Sequence, residues 1–526
     1  MKHTALLIIS LLLSHCVMAQ QTFRRRQCGT AMLMEREAPA NGKGQRVIST
    51  TTYTKYVPHS GNLTIPVVLV NFQDVKFKIN NPKEAFEQLF NSHTQEDLGN
   101  GNHHNYGSVA KYFRDMSNGT FTPNFKVYDP VTLDKPETYY GGKNEDNNKD
   151  ENPRQLVKDA LKLIEDQVTE DDIKSFCSDG KTVDCVYVVY AGLGQNDGGA
   201  GTTVWANTWT TDGATLGGKS VSSYTMSPEL SSMKLDDNGK FNNKGTIPAV
   251  SGIGVICHEF SHALGLPDFY PTAESAYVDN QEMEYWDLMD GGEYTYYGYR
   301  PTAYTAFEKE QMEWPVDIKT LDSDASVTMQ TSTEQGGKAY KIVNPDYQNE
   351  YLMLECIQRK GWNQYLFGNG LLVYHVCLPS ETLDSGTRLN NAPGYPGMAV
   401  VPADGACLSL YIKANEKDYI NSHYGDLFGQ NVTELSDTNK QPNFCWYNAD
   451  KTEKLKTNKA LRNIKYENGV VSFDYVNDVA SGILPVWDNK QNADGKVYSI
   501  NGTFLGYDLS TLPHGIYIMN GQKIVK

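Results

Sequence analysis

His258, Glu259 and His262 stand in the string His-Glu-Phe-Ser-His. On a helix, residues four apart share one face, so the two imidazoles can grip a single metal ion. Glu259, next to the first of them, can reach the open side of that ion and take a proton from a bound water. Zinc lowers the pKa of such a water to about 7 and polarises a carbonyl oxygen, which together make hydrolysis feasible near neutrality. Chance would place the string in about one chain in a hundred of this length. The stretch Ile253–Leu264 is otherwise apolar on most sides, however, and polar groups in a buried helix need a reason. Gly265 and Asp268 follow at the third and sixth positions after His262. Glycine can stop the helix and let the chain turn back, bringing the Asp268 carboxylate in as third ligand. Glu282 and Glu284 are the competing third ligands. Trp286-Asp287-Leu288-Met289-Asp290-Gly291-Gly292 reads as a tight turn.

Such a site needs a scaffold, and the chain alternates strand and helix signals before it. Ile65–Phe72 is a continuous apolar run, as in a buried strand. Helical patterns follow near Lys83–Phe90 and Ser108–Met116, with a stronger one over Arg154–Gln167 that sets Leu156, Ala160, Leu161 and Ile164 on one face. Val183–Tyr190 is a second buried strand, so an α/β domain is expected. After about Pro315 short alternating strands such as Tyr351–Ile357, Gly370–Val376 and Val470–Tyr475 alternate with turn residues, which predicts an all-β domain of sandwich or jelly-roll type. A Gly/Asn/Asp-rich break then precedes a small C-terminal β unit. The expected divisions are 1–19, 20–59, 60–316, 317–478 and 479–526.

Residues 1–19 read as a signal peptide, with Lys2, the apolar run Ala5–Leu13 and cleavage after Val17-Met18-Ala19. Residues 20–59 read as a pro-segment, and no later stretch has the length and apolarity of a transmembrane helix. The formal charge of −16 argues against nucleic acid and anionic membrane surfaces as partners. An exported, extracellular or surface-attached bacterial protein is expected, with its remaining cysteines in an oxidising setting. Cys177 and Cys185 are close enough in sequence to close a small loop, while the pairing of the others is open.

His258–Tyr270 (HEFSHALGLPDFY) and Trp286–Gly292 (WDLMDGG) resemble the immune-inhibitor-A-like family of secreted bacterial metalloproteases. So do Ser108–Thr120, Val186–Gly192 and Gly361–Val376, and the likeness runs over roughly residues 60 to 478. The resemblance implies a metzincin-type catalytic domain with one zinc, a β-rich domain behind it, and protein or peptide substrates. In that frame His258, His262 and Asp268 are the metal ligands, Glu259 is the catalytic base and Met289 is structural. Relatives often carry a calcium-binding loop before the second strand. Here it is Cys177-Ser178-Asp179-Gly180-Lys181-Thr182-Val183-Asp184-Cys185, where Lys181 and missing carboxylates favour a Cys177–Cys185 disulfide over calcium. The tyrosine that some metzincins hold two residues after the methionine is replaced by Gly291, and Tyr294, Tyr296, Tyr297 and Tyr299 are nearby, none of them assigned to its role. Cys28, after Arg24-Arg25-Arg26, resembles a pro-segment cysteine whose thiolate caps the zinc; pairing with another cysteine is the alternative. Residues 496–526 resemble the sorting domain of type IX secretion in the Bacteroidetes. A different class of function, an inactive protease-like surface adhesin or carbohydrate-binding protein, is disfavoured by the retention of Glu259.

Overall fold

The computed structural model describes residues 56–93, 104–142, 150–242, 244–278, 282–331, 337–379, 383, 387–408, 416–479, 496–519 and 522–526. The expected signal peptide, the pro-segment through residue 55 and Cys28 lie outside the described residues. Among those described, no helix is long and apolar enough to cross a membrane.

An eight-stranded sheet organises the first half: β1 (Thr64–Asn71), β2 (Asn124–Val127), β3 (Val131–Thr132), β4 (Val183–Leu193), β5 (Asn207–Thr210), β6 (Thr215–Leu216), β7 (Lys219–Leu235) and β8 (Ile247–Val250). Its main order is β2-β1-β4-β7-β5, with β3 beside β1 and β6 and β8 beside β7. β2, β1, β4 and β7 run parallel, and β5 closes the edge antiparallel to β7. Parallel neighbours need crossovers, and these place apolar material on both faces of the sheet. Ile65, Val67 and Leu69 of β1 and Cys185, Tyr187 and Val189 of β4 face the helices Pro82–Asn91, Val109–Met116 and Ile253–Leu264. Val68, Val70, Val186 and Val188 point the other way, against Leu156, Val157, Ala160, Leu161 and Ile164 of the helix Pro153–Ile164. The two apolar runs read from sequence are therefore central strands, and the helix anticipated over Arg154–Gln167 ends in a short 3-10 turn at Glu165–Gln167.

β7 escapes a reading based on apolar periodicity. Its sequence is KSVSSYTMSPELSSMKL, yet Ser222, Ser223, Thr225, Ser227, Glu229 and Ser231 are all buried. Local partners satisfy them: Tyr187 donates to Ser227 Oγ at 2.9 Å, and Ser223 donates to the Asp184 carbonyl at 3.2 Å. Glu229 accepts backbone N–H groups from Lys78, Ile79 and Gly192. Hydrogen bonding to each buried polar group is what makes so polar a central strand tolerable.

The expected Cys177–Cys185 disulfide is corrected by the fold: no bond joins the two sulfurs. Cys177 belongs to the core on one face of the sheet and Cys185 to the core on the other, so their side chains diverge. Carboxylates brace the loop instead. Asp184 accepts from Ser178 N and Ser178 Oγ, and Asp179 Oδ1 accepts from Lys181 N and Thr182 N. With both aspartates engaged on the loop's own donors, the calcium considered for this loop gains no support either.

Beyond Asp317 lie a five-stranded sheet centred on Tyr347–Ile357 and Gly370–Cys377 and a four-stranded sheet built on Ala460–Glu467 and Val470–Val476. Leu352, Leu354, Leu371 and Val373 share one core with Leu461, Ile464, Val471 and Phe473 of the other sheet. The opposite face of the five-stranded sheet carries Tyr351, Met353, Leu372, Tyr374 and Val376 into the core that holds the helix Ile253–Leu264. The change in sequence character near Pro315 is thus not a break in packing. Polar contacts cross the same junction: Glu355 Oε1 accepts from Ala306 N at 2.8 Å and from Tyr374 OH at 2.6 Å. Residues 496–519 and 522–526 form a separate four-stranded antiparallel sheet.

Tyr374→Phe should lower stability by about 1–3 kcal/mol in urea denaturation, because a buried carboxylate loses a donor. The unfolding should stay a single transition; two resolved transitions would mean that the regions on either side of residue 316 fold independently.

Candidate metal centre

The helix Ile253–Leu264 is buried along its whole length. Asn105 Oδ1 accepts Ile253 N at its start, at 3.1 Å. Gly254 sits where a Cβ would lie 1.9 Å from the Glu293 carbonyl, so only glycine lets the segment after the tight turn press against the helix. Gly265 ends the helix with φ +111, a left-handed value that glycine adopts without strain. Its N–H and that of Leu266 bond back to His262 O and Ser261 O, and the chain reverses towards Asp268.

Two backbone carbonyls fix the histidines. His258 Nδ1 lies 3.0 Å from Leu288 O, and His262 Nδ1 lies 2.7 Å from Leu266 O. A carbonyl can only accept, so each Nδ1 carries the proton and each Nε2 is turned the other way. Both Nε2 atoms meet Asp268 Oδ1, at 3.3 Å from His258 and 3.2 Å from His262. Ligand atoms of His258, His262 and Asp268 all lie within 4.8 Å of one another, and among the described residues no other group of three His, Cys, Asp or Glu does so. Glu282 and Glu284 are buried elsewhere, and Glu284 accepts a hydrogen bond from Tyr419.

The electrostatics agree with the geometry. Burial would depress the His262 imidazolium, but Asp268, aided by Glu259, lifts it to about 9. Burial would likewise raise the Asp268 carboxyl, yet the two histidines hold it well below the usual carboxylate range. A dry pocket with one carboxylate and two imidazoles that attract each other suits a divalent cation. The N,N,O donor set and the carbonyl-anchored rings fit zinc in both first contacts and support.

Glu259 is buried beside this cluster. The Thr208 hydroxyl on edge strand β5 lies 2.6 Å from the Glu259 carbonyl oxygen and 3.1 Å from its Oε2. The Asp287–Gly292 turn is tight: Gly292 N and Asp290 N bond Asp287 O, and Met289 N bonds Asp287 Oδ1. Met289 is fully buried in the same core, and its carbonyl accepts Phe269 N at 2.9 Å next to Asp268. Tyr299 donates to Val250 O and Tyr296 stacks on Tyr365, so both are packing residues.

Two residues absent from the sequence reading adjoin the cluster. Glu293 Oε2 lies 3.9 Å from His258 Nδ1, and burial pushes its carboxyl to about 7. Its place directly after Gly291-Gly292 is a signal that could have been followed. Thr208 lies in Asn207-Thr208-Trp209-Thr210, which offers no such clue.

Residues 62–317 match the family model described as immune inhibitor A peptidase M6, catalytic domain. The chain is 25% identical over 281 residues to the pre-pro-metalloprotease PrtV of Vibrio cholerae, which covers 47% of this chain and 29% of that protein. It is 26% identical over 288 residues to immune inhibitor A of Bacillus thuringiensis subsp. alesti, covering 46% of this chain and 38% of that protein. The aligned stretch thus spans well under half the length of either relative. The part of the chain that brings His258, His262 and Asp268 together is accordingly the part that is similar to a peptidase M6 catalytic domain of the immune inhibitor A kind.

Proposed function

We propose that the chain is a secreted zinc endopeptidase that hydrolyses protein or peptide substrates, with Glu259 as general base. The convergence of His258 Nε2, His262 Nε2 and Asp268 Oδ1 carries this reading. Zinc held there supplies a Lewis acid and a bound water of lowered pKa. Glu259, one residue from the first ligand, is placed to accept a proton and later to return it to the leaving amine. Thr208 holds the Glu259 side chain from the edge of the sheet, and the buried walls exclude bulk water. Met289 serves as floor, in the manner of the metzincin turn. The sheets of residues 317–478 are read as a β-sandwich behind a catalytic domain of residues 60–316.

Glu259→Ala should keep about one zinc per chain by metal analysis while caseinolysis falls by about 10²–10⁴-fold. Asp268→Ala should lose the zinc, and Glu282→Ala and Glu284→Ala should retain it. Full activity in Glu259→Ala, or zinc loss in a Glu282 or Glu284 variant but not in Asp268→Ala, would refute the assignment.

Two further parts of the proposal rest on the chain ends. Cys28 caps the metal in the precursor, because a thiolate is a good zinc ligand and displaces the reactive water. Cys28→Ala precursor should therefore cleave casein before processing; unchanged latency would point to Cys28 as a disulfide partner. Residues 479–526 serve as a linker and type IX sorting signal, a reading that the compact terminal sheet supports. Deleting residues 496–526 should leave the protein in the periplasm by fractionation, and normal export would exclude a sorting role.

A further inference from the structure

Cys377 and Cys445 meet in a small apolar cluster, apart from the larger cores that hold Cys177, Cys185, Cys257 and Cys356. Strand alternation explains the meeting. In the strand Gly370–Cys377, Leu371 and Val373 point into the core between the two sheets that follow residue 317, and Cys377 continues that face past His375. Opposite Cys377 in the ladder stands Glu350. Glu350 Oε1 accepts Tyr447 N at 2.7 Å and lies 2.9 Å from His375 Nε2. The chain carrying Cys445, Trp446 and Tyr447 is thereby strapped across the end of the strand. Trp446 enters the core between the sheets, while Cys445 and Tyr447, two residues apart, turn together into the cluster of Cys377. The Tyr447 ring lies 4.6 Å from the His375 ring, and its hydroxyl donates to Pro396 O at 3.2 Å.

The two thiols are 2% and 8% exposed, and no bond joins their sulfurs. Burial pushes Cys377 up to about 11 and Cys445 to about 12, and Cys377 is among the groups whose charge acts on Cys445. Thiols so buried react slowly in the folded protein, so oxidation belongs to the moment at which the strap docks. A bridge formed there is then shielded from reductants.

What lies between the two cysteines gives the pair its consequence. Asn390 Nδ2 donates to Phe269 O at 2.6 Å, next to Asp268, and Thr272 N donates to Asn391 Oδ1 at 2.8 Å. Val400 N donates to Glu282 O at 3.2 Å, and Asp426 accepts Trp286 Nε1 at 2.7 Å. Residues from 378–444 thus hold the chain that runs from the helix exit to the Asp287–Gly292 turn.

We propose that Cys377 and Cys445 are a disulfide-forming pair, and that their bridge closes residues 378–444 into a loop that braces the chain around Asp268 and the turn. Two S–H bonds break and one S–S bond forms; a disulfide oxidant takes the two electrons and two protons and leaves as a pair of thiols. The export proposed above supplies such an oxidising medium, and neither zinc nor Glu259 takes part in the step. Closing so long a loop restricts the unfolded chain, which stabilises the fold.

The test produces the full chain in a host periplasm, which supplies disulfide exchange whatever this protein's own export route, and separately in a reducing cytosol. Non-reducing peptide mapping of the first product should give a peptide pair linked through Cys377 and Cys445. Recovery of the two as alkylated thiols, or linked to other cysteines, would overturn the pairing. The bridged protein should melt several degrees above the reduced one. Cys377→Ala with Cys445→Ala should erase that difference, and Cys356→Ala, in another core, should keep it. Deuterium uptake over residues 387–408 should be slower in the bridged form than in the reduced one; equal uptake would overturn the bracing role. Each readout is independent of catalysis, so failure of the peptidase reading would leave all of them unchanged.

Discussion

Three ionisable side chains lie in a pocket almost sealed from water, and their mutual attraction is the constraint on which the site depends. An isolated buried charge is too costly to keep, so each of these groups is stable there only because the others are in place. The backbone fixes the geometry. Leu288 O and Leu266 O each hold one Nδ1–H, and this leaves both Nε2 atoms directed at Asp268 Oδ1. One carbonyl belongs to the tight turn and the other to the helix exit, so the ring orientations report on two separate pieces of chain. If either piece shifted, an imidazole would lose its anchor and the carboxylate its counter-charge.

The remaining architecture can be understood as support for those two pieces. Glycines at 252, 254 and 292 permit close backbone approach: a Cβ on Gly292 would lie 2.2 Å from Asp287 O, and one on Gly252 would lie 2.3 Å from the carbonyl carbon of Gly298. The turn is also held from behind. Trp286 Nε1 donates to Asp426 at 2.7 Å, and Val400 N bonds Glu282 O, so residues from beyond 317 brace the segment that carries Leu288. That explains why the β-rich region shares a core with the site helix and does not hang from it as an appendage.

Sequence reasoning found the parts of this arrangement that rest on local spacing. The i, i+4 histidines, the helix-ending Gly265 and the turn at Asp287–Gly292 each have a signature within a few residues, and β1 and β4 are legible because a strand buried on both faces is apolar throughout. What failed was long-range or polar. β7 is central yet hydroxyl-rich, and its burial is tolerable only through partners such as Tyr187 that no window of sequence reveals. Thr208 meets Glu259 across 51 residues, which depends on the register of β5 against β7. The Cys177–Cys185 bridge failed for a similar reason. Proximity in sequence said nothing about the core each thiol would enter: Cys185 of β4 points into one, and Cys177, ahead of the strand, lies in the other.

An aspartate at the third position has a consequence that an imidazole would not. Three neutral or protonated rings crowded into a buried pocket would have nothing to hold them together before metal arrives, and protonation of any two would drive them apart. Asp268 reverses the sign of that interaction. Its carboxylate stabilises positive charge on the neighbouring rings, as the raised His262 shows, and it is kept ionised in return. The three side chains are therefore assembled by their own attraction, and they would hold a divalent ion in exchange for protons in a pocket whose shape is already set. A cation held by these three groups would have part of its charge neutralised by Asp268, so that Glu259 would face a site of lower net positive charge. Preassembly by an ion pair, and the weaker Lewis acid that a cation would be beside a carboxylate, both follow from an aspartate at this position.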